Sequence, residues 1–285
     1  MMATEKRQRL RAILNGDTTT SPATVFDALS ARVAEAAGYT CGILSGSVSA
    51  ATVLGAPDMA MQTLSEFALQ VRTITRASDL SVFVDADQGY GNALNVMRTV
   101  EELEHAGLAG LAIEDLVMPS SFGVHGALEL ISTAEMLGKL KAALAARRDA
   151  SLVIVARTAA LRVEPIDKVV ARVREYVTSG VDGVFLSGLR TLDQLDAVRA
   201  VVKLPIIVGS APGMTRADLA TRGVRFHLQG HAVLAACAKA MHDTYTHLLA
   251  GNGPDGLQPI LATPEIMARV LKVADYEQWS NTYLN

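Results

Sequence analysis

The sequence has little cysteine, few aromatic residues and little charge. Its 285 residues include two cysteines, aromatic residues make up 5% of the chain, and the net charge is −3. Cys41 and Cys237 fit neither a CxxC motif nor a zinc spacing, which favours a reduced, cytoplasmic setting. The slight negative charge offers no basic surface, so we expect no nucleic-acid partner.

Uninterrupted apolar runs are also missing, although half of the residues are hydrophobic. The most apolar late stretch, AVLAACAKAMHDTYTHLLAG, contains Lys239, His242 and Asp243, which excludes a membrane span. The N-terminal stretch MMATEKRQRLRAILNGD is charged and has no apolar core of a secretory signal. We therefore expect a soluble protein with no membrane partner.

Four segments share one pattern, in which a glycine follows a helix-like run and precedes a short apolar strand. A glycine in this place is typical of the left-handed residue that ends a helix. The four segments begin at Gly38, Gly107, Gly180 and Gly223. Four further strand candidates alternate with them, at 23–27, 80–87, 151–158 and 204–211.

Together the two sets give eight strands that alternate with helices, in units of about 35 residues, as in a (β/α)8 barrel. An open doubly wound sheet is the alternative, but GYGNAL at 89–94 lacks the third glycine of a dinucleotide-binding turn. We predict an α/β fold of the TIM-barrel type, with 1–285 as a single domain. Two extra C-terminal helices, at about 262–284, are expected at a subunit interface.

In such a barrel the carboxyl ends of the strands meet at one rim, where active sites lie. Crowded carboxylates repel one another unless a cation is present, and oxygen ligands without thiolates favour Mg²⁺, with Mn²⁺ as the alternative. We predict Asp85 as the direct metal ligand, with Asp87 and Glu114 bound through water. The residues expected at this rim are Asp27, Ser45, Gly46, Ser47, Asp85, Asp87, Glu114, Asp115, Arg157, Ser187, Ser210 and His231.

These residues also have purely structural interpretations. Asp87 could cap the helix that begins near Asn92, and Asp58 could cap a local turn. Glu114 and Asp115 could pair with Arg157, and His231 could be a satisfied core histidine. The serines lie in no GxSxG motif, so a serine hydrolase is not expected. The number of carboxylates that converge on one rim favours the metal site.

The chain closely resembles the isocitrate lyase/phosphoenolpyruvate mutase superfamily in CGILSGSVSA, VDADQGYGNALNVMRTVEELEHAGLAGLAIED, IVART and QGHAV. Within it, the chain is most similar to the oxaloacetate decarboxylase family, on TVFDALSARVAEAAGYTCGILSGS and GNALNVMRTVEELEHAG. The resemblance implies a barrel that binds Mg²⁺ and an α-keto acid, and that decarboxylates oxaloacetate to pyruvate and CO2. It also implies a homotetramer, a dimer of dimers, with a C-terminal helix swapped between neighbours.

By position, the resemblance assigns Asp85 to the metal and Asp58, Asp87 and Glu114 to the surrounding acidic shell. It implies that Arg157, His231 and Asp58 act in catalysis. The residues that it implies for substrate binding are Ser45, Gly46, Ser47, Arg157 and His231.

Two segments depart from the family pattern. The lid segment 116–131, with Gly123 and Gly126, lacks the cysteine and lysine of the lyases' KKCGH motif, which argues against a 2-methylisocitrate or isocitrate lyase. The loop at 208–215 is short and lacks the decarboxylases' tyrosine, which leaves the choice of substrate open. Two alternatives therefore stay open. One is another superfamily activity on an α-keto acid or substituted malate, of the phosphonopyruvate hydrolase/mutase or 2-methylisocitrate lyase type. The other is a non-catalytic barrel that binds keto acids.

Overall fold

A parallel β-barrel forms the centre of the protein, whose computed structural model describes residues 1–120 and 128–284. Its strands follow one another around the sheet in chain order. They are β1 Ala23–Thr24, β2 Cys41–Leu44, β3 Ser81–Asp85, β4 Gly110–Glu114, β5 Val153–Thr158, β6 Gly183–Leu186, β7 Ile206–Val208 and β8 Val224–His227. The predicted (β/α)8 fold is confirmed.

The sheet closes on itself just before β1, where Thr20 pairs in parallel with Phe226 of β8. The Thr20 N–H donates to the Arg225 carbonyl at 2.8 Å, and the His227 N–H donates to the Thr20 carbonyl at 3.0 Å. The first and last strands are thereby joined, so the carboxyl ends of all eight strands form one rim.

Helices alternate with the strands and continue beyond β8. Those in the described residues are α1 Ala3–Leu14, α2 Ala28–Ala36, α3 Gly46–Val53, α4 Leu64–Ala77, α5 Ala93–His105, α6 Thr133–Ala146, α7 Ile166–Val177, α8 Leu192–Val201, α9 Arg216–Thr221, α10 Ala232–Leu249, α11 Pro264–Leu271 and α12 Val273–Tyr283. Single 3₁₀ turns lie at Ala160–Arg162 and Gln258–Ile260. No described helix combines the length and the apolar composition that a membrane crossing requires.

The glycines that were expected between helices and strands adopt the left-handed conformation. Their φ angles lie between 80° and 95° at Gly38, Gly107, Gly180 and Gly223. A side chain is strained at such angles, whereas glycine is not. Each glycine therefore ends a helix and turns the chain into the next strand.

Helix α1 covers the amino-terminal end of the barrel. Leu10 and Leu14 pack there with the inward-facing rings of Phe83 and Phe226. Arg7, which is buried, donates through Nε to the Leu108 carbonyl at 3.1 Å. Hydrophobic burial and buried hydrogen bonds thus hold α1 at the end of the barrel opposite the rim.

The C-terminal helices pack less closely than the others. Neither α10 nor α12 has a buried residue, whereas α11 buries Val270 and packs against α2. Several large apolar side chains are consequently exposed on them, among them Met241, Tyr245 and Trp279.

Candidate metal and substrate site

An arginine lies between two carboxylates at the ends of three adjacent strands. Glu114 on β4 and Arg157 on β5 are register partners. Arg157 donates through Nη1 to Oδ2 of Asp85 on β3, and its Nε lies 3.2 Å from Oε1 of Glu114. Burial alone would lower the pKa of Arg157, but the charges of Asp85 and Glu114 raise it. The guanidinium is therefore held positively charged at the rim.

Asp87 reaches the same place by an unusual backbone turn. Its φ is 47°, and its carbonyl accepts from the Glu114 N–H at 2.7 Å. Its carboxylate lies directly against Gly46, where a Cβ atom would overlap Oδ1. The cap of α5 is Asn92, so the expected alternative that Asp87 caps this helix is wrong.

The carboxylates of this cluster have a strong tendency to retain protons. Burial, together with the charges of Asp85 and Asp58, raises the pKa of Asp87 well above its ordinary value. Burial is also the main cause that raises the pKa of Glu114 to about 8, with Arg157 opposing the change and Asp85 adding to it. Such shifts follow when carboxylates share a site of low polarity without enough positive charge.

Three polar atoms of the cluster are buried and have no hydrogen-bond partner among the described residues. They are Oδ1 of Asp85, which has no polar partner in the described part of the chain, and Oε1 of Glu114 and Nε of Arg157, which form an ion pair 3.2 Å apart without hydrogen-bond geometry. An unsatisfied buried carboxylate oxygen is costly, and a cation or its coordinated water would satisfy it. The oxygen donors therefore fit a hard divalent cation such as Mg²⁺.

The described residues contain no cluster of three or more His, Cys, Asp or Glu side chains arranged to hold a metal ion. Mg²⁺ usually keeps several waters and binds directly to one or two carboxylates, so this arrangement suits it better than a metal that needs a full protein cage.

A second polar group lies beside the carboxylates, where α3 and α10 begin. Ser45 caps α3, and its Oγ lies 3.4 Å from Oγ of Ser47. Ser47 Oγ in turn lies 2.9 Å from Nε2 of His231. His231 is exposed and immediately precedes α10, so it is not a core histidine.

Asp58 lies on the exposed loop between α3 and α4. Partial burial and the charge of Asp85 raise its pKa, while Arg157 and His231 oppose the change. Asp58 therefore lies close enough to Asp85, Arg157 and His231 for their charges to change its pKa. It forms no hydrogen bond or ion pair with any described residue.

Two carboxylates that were expected at the rim have structural roles instead. Asp27 caps α2 and accepts from the Ser30 N–H at 2.6 Å. Asp115 is fully buried and accepts from Thr158 Oγ1 at 2.6 Å and from the Tyr176 hydroxyl at 2.8 Å. Both follow strand ends as expected, but their carboxylates are engaged in these structural hydrogen bonds.

One cation at the rim was not anticipated from the sequence. The stem of Arg162 passes over Gly188, which has a φ of 87° and no room for a Cβ atom. The charge of Arg162 opposes the rise in the pKa of Glu114. In the sequence, only two weak signals place Arg162 at the rim: it follows Arg157 by five residues, and a glycine follows the next strand.

The predicted lid segment is anchored at its base. Leu116 and Leu130 form an antiparallel bridge, and the Val117 N–H donates to the Glu129 carbonyl at 2.8 Å. Gly123 and Gly126 lie outside the described residues. The 208–215 loop makes a short turn between β7 and α9, in which the Met214 N–H donates to the Ala211 carbonyl at 3.2 Å.

Residues 10–249 match the family model described as phosphoenolpyruvate phosphomutase. The oxaloacetate decarboxylase of Bradyrhizobium sp. (strain ORS 278) is 46% identical over 281 residues, which cover 98% of this chain and 97% of the relative. The oxaloacetate decarboxylase of Rhodopseudomonas palustris (strain BisA53) is 48% identical over 269 residues, which cover 94% and 92%.

Solved structures of similar fold include two that hold small acids. Oxaloacetate acetylhydrolase in complex with the inhibitor 3,3-difluorooxalacetate has a TM-score of 0.87 and 28% identity, and the match covers 98% of this chain and 97% of that one. Phosphonopyruvate hydrolase in complex with oxalate and Mg²⁺ has a TM-score of 0.86 and 25% identity, with both chains covered completely.

Proposed function

The chain belongs to the phosphoenolpyruvate phosphomutase family, and on that basis we propose that it is a Mg²⁺-dependent oxaloacetate decarboxylase that forms pyruvate and CO2. Identity of 46% to a relative of that name over nearly the full length supports the activity. The observation that carries the proposal is the cluster of Asp85, Glu114 and Arg157, in which Oδ1 of Asp85 is buried without a hydrogen-bond partner among the described residues.

Asp85 is the residue that would bind the cation directly, with Asp87 and Glu114 holding its waters. The Mg²⁺ in the phosphonopyruvate hydrolase structure supports a divalent ion in this fold. When bound, the cation supplies a Lewis acid that stabilises the negative charge that develops on the C2 oxygen as the C3–C4 bond breaks.

Arg157 and the start of α3 bind and orient the substrate. The planar guanidinium of Arg157 suits a carboxylate, and its contacts with Asp85 and Glu114 hold it at the rim. The N–H groups of Gly46 and Ser47 open α3 and have no acceptor within the helix. The positive end of this helix therefore favours an anionic group beside Ser45.

Ser47 and His231 bind the C4 carboxylate of the substrate, which is the group that leaves as CO2. Their hydrogen bond fixes the imidazole next to the start of α3. When the C3–C4 bond breaks, its electron pair passes to the C2–C3 unit, and C3 must then take up a proton. His231 is the donor, and Asp58, whose pKa is raised by burial and by the charge of Asp85, lies at the edge of the site.

We further propose that residues 1–285 form a single domain that assembles as a homotetramer in the cytoplasm. The support is the set of exposed apolar residues on α10 and α12, which have no buried residue of their own. A swapped C-terminal helix would bury them. The two cysteines, Cys41 and Cys237, are unpaired, as a reducing compartment requires.

The test is pyruvate formation from oxaloacetate with Mg²⁺, compared with enzyme-free and EDTA controls. These controls are essential because oxaloacetate decarboxylates spontaneously and Mg²⁺ accelerates the loss. We expect a saturable excess that is proportional to enzyme and abolished by EDTA. No excess at any substrate concentration would refute the decarboxylase activity.

A second candidate activity is hydrolysis of phosphonopyruvate, favoured by the short 208–215 turn without tyrosine and by the likeness to phosphonopyruvate hydrolase. Phosphate release from phosphonopyruvate without pyruvate formation from oxaloacetate would favour it. The non-catalytic alternative has less support, because relatives at 46–48% identity are named as enzymes.

A further inference from the structure

A buried lysine lies behind the acidic cluster and takes no part in the mechanism above. Lys139 on α6 is 3% exposed, and no carboxylate of the described residues lies within ion-pair distance of it. Its Nζ donates to the Gln88 carbonyl at 3.1 Å. Burial lowers the pKa of Lys139, with Glu135 opposing the change. A buried lysine without a carboxylate partner is rare, because burying its charge is costly.

The Gln88 carbonyl belongs to the turn that directs Asp87 toward the site. Asp87 and Gly89 both have positive φ angles, of 47° and 81°. The Gly89 N–H donates to the Ala86 carbonyl at 2.9 Å, and Thr99 Oγ1 donates to the Gly89 carbonyl at 3.1 Å. A positive φ at an aspartate persists only when the surroundings impose it.

The side chain of Gln88 extends this connection to the base of the 116–131 segment. Gln88 is buried, and its Nε2 donates to the Met118 carbonyl at 3.0 Å. Lys139, Gln88 and Met118 thus form one chain of hydrogen bonds, which joins α6, the acidic turn and the residues after β4.

We propose that Lys139 is a positioning residue for the metal site: its ammonium holds the Gln88 carbonyl and thereby fixes the turn that places the Asp87 carboxylate beside Asp85 and Gly46. This inference rests on the metal site of the proposed function. It assigns Lys139 no contact with metal or substrate.

Manganese affinity measures this role without requiring turnover. Mn²⁺ binding to the full chain would be titrated by electron paramagnetic resonance, with steady-state kinetics alongside. In Lys139→Met we expect Mn²⁺ affinity to fall by about tenfold, the usual effect of losing a partner behind a metal ligand. The metal concentration needed for half-maximal activity should rise by the same factor, with kcat at saturating metal close to native.

Three further variants separate positioning from a general loss of stability. Lys141→Met makes the same change on the exposed side of α6 and should leave Mn²⁺ affinity unchanged. Lys139→Arg keeps a charged donor and should recover part of the lost affinity. If Lys139→Met does not fold, Lys139→Gln retains a neutral donor and should show an intermediate loss.

Native Mn²⁺ affinity in folded Lys139→Met would overturn the inference. Equal losses in Lys139→Met and Lys141→Met would overturn it as well. A natural chain that binds Mn²⁺ but forms no pyruvate refutes the decarboxylase activity alone, because the affinity comparison still stands. A natural chain that binds no Mn²⁺ refutes both.

Discussion

The hydroxyl of Ser47 lies 2.9 Å from Nε2 of His231, although 184 positions separate the two residues in the chain. One residue opens α3 after β2, and the other precedes α10 after β8. The hydrogen bond therefore spans the region where the barrel closes, beside the carboxylates of β3 and β4.

This pair should act as a unit in catalysis. We expect kcat/KM for oxaloacetate to fall by about tenfold in Ser47→Ala, the loss of one hydrogen bond, and by about a hundredfold in His231→Gln, the loss of a proton donor. Because Ser47 acts through the imidazole, the double variant should be no slower than His231→Gln. Fully additive losses in this double-mutant cycle would contradict the assignment.

Asp85→Asn should abolish metal-dependent turnover, since an amide is a poor replacement for the anionic ligand. Mn²⁺ binding should be lost together with activity. The matched control is Asp193→Asn, on the exposed side of α8, which should behave like the natural chain in both assays. Near-native activity of Asp85→Asn at low Mg²⁺ would show that another residue binds the metal.

Gly46→Ala should weaken metal binding with little loss of stability elsewhere. A methyl group at Gly46 would occupy the space of the Asp87 carboxylate, which must then move. Gly138 on α6 has open space around it, and Gly138→Ala should raise the free energy of unfolding by about 0.4–1 kcal/mol. Calorimetric metal titration and denaturant unfolding of both variants test this; native Mn²⁺ affinity in Gly46→Ala would refute it.

The metal-free protein should lose stability as the pH rises. A carboxyl group whose pKa is higher in the folded chain stabilises the fold most below its ordinary pKa, and this contribution is lost as the pH approaches the folded value. For Glu114 the window runs from its ordinary 4.5 to about 8. Melting temperatures in EDTA should therefore fall across this range, and Glu114→Gln should flatten the slope.

Mg²⁺ should change this pH profile, because the cation competes with the protons. The rise in melting temperature on adding Mg²⁺ should be larger at pH 8 than at pH 6, in line with the pKa of Glu114 near 8. Glu277→Gln, at an exposed glutamate of α12, is the control and should retain the natural profile. An Mg²⁺ effect that does not vary with pH would contradict the assignment.

The exposed apolar surface of α10 predicts an oligomer that one charge can disrupt. Met241 is 51% exposed in the single chain, and Met241→Glu would place a carboxylate within the proposed interface. Light scattering should give the mass of four chains for the natural protein and a smaller mass for this variant. Lys141→Glu, on exposed α6, should leave the mass unchanged. A monomeric natural protein would refute the assembly.

Local patterns in the sequence predicted the barrel correctly. Glycines such as Gly38 and Gly107 adopt the positive φ that ends a helix, and the short apolar run after each glycine is typical of a buried strand. The strand ends consequently place Asp85, Glu114 and Arg157 on one rim. The helix ends and the buried strands depend on residues that are close together in the sequence, so they could be predicted from it.

The orientation of individual side chains was harder to predict. Glu114 and Asp115 are neighbours, and successive strand residues face opposite sides, so both could not point to the rim. This rule would have removed Asp115, whose carboxylate instead binds Tyr176 in the core. The link from Lys139 to Gln88 depends on how α6 packs over a turn 51 positions away, which no local pattern records.

The candidate site is complete only when Thr20 has paired with Phe226, because this pairing closes the barrel. His231 follows the last strand and meets Ser47 only after that seam has formed, so a chain with seven strands in place has no complete site. Turnover should consequently return late in refolding, after most of the helical signal. A circular permutant that links residue 285 to residue 1 and opens the chain at an exposed helix–strand turn should keep this pairing, and we expect it to retain the proposed activity.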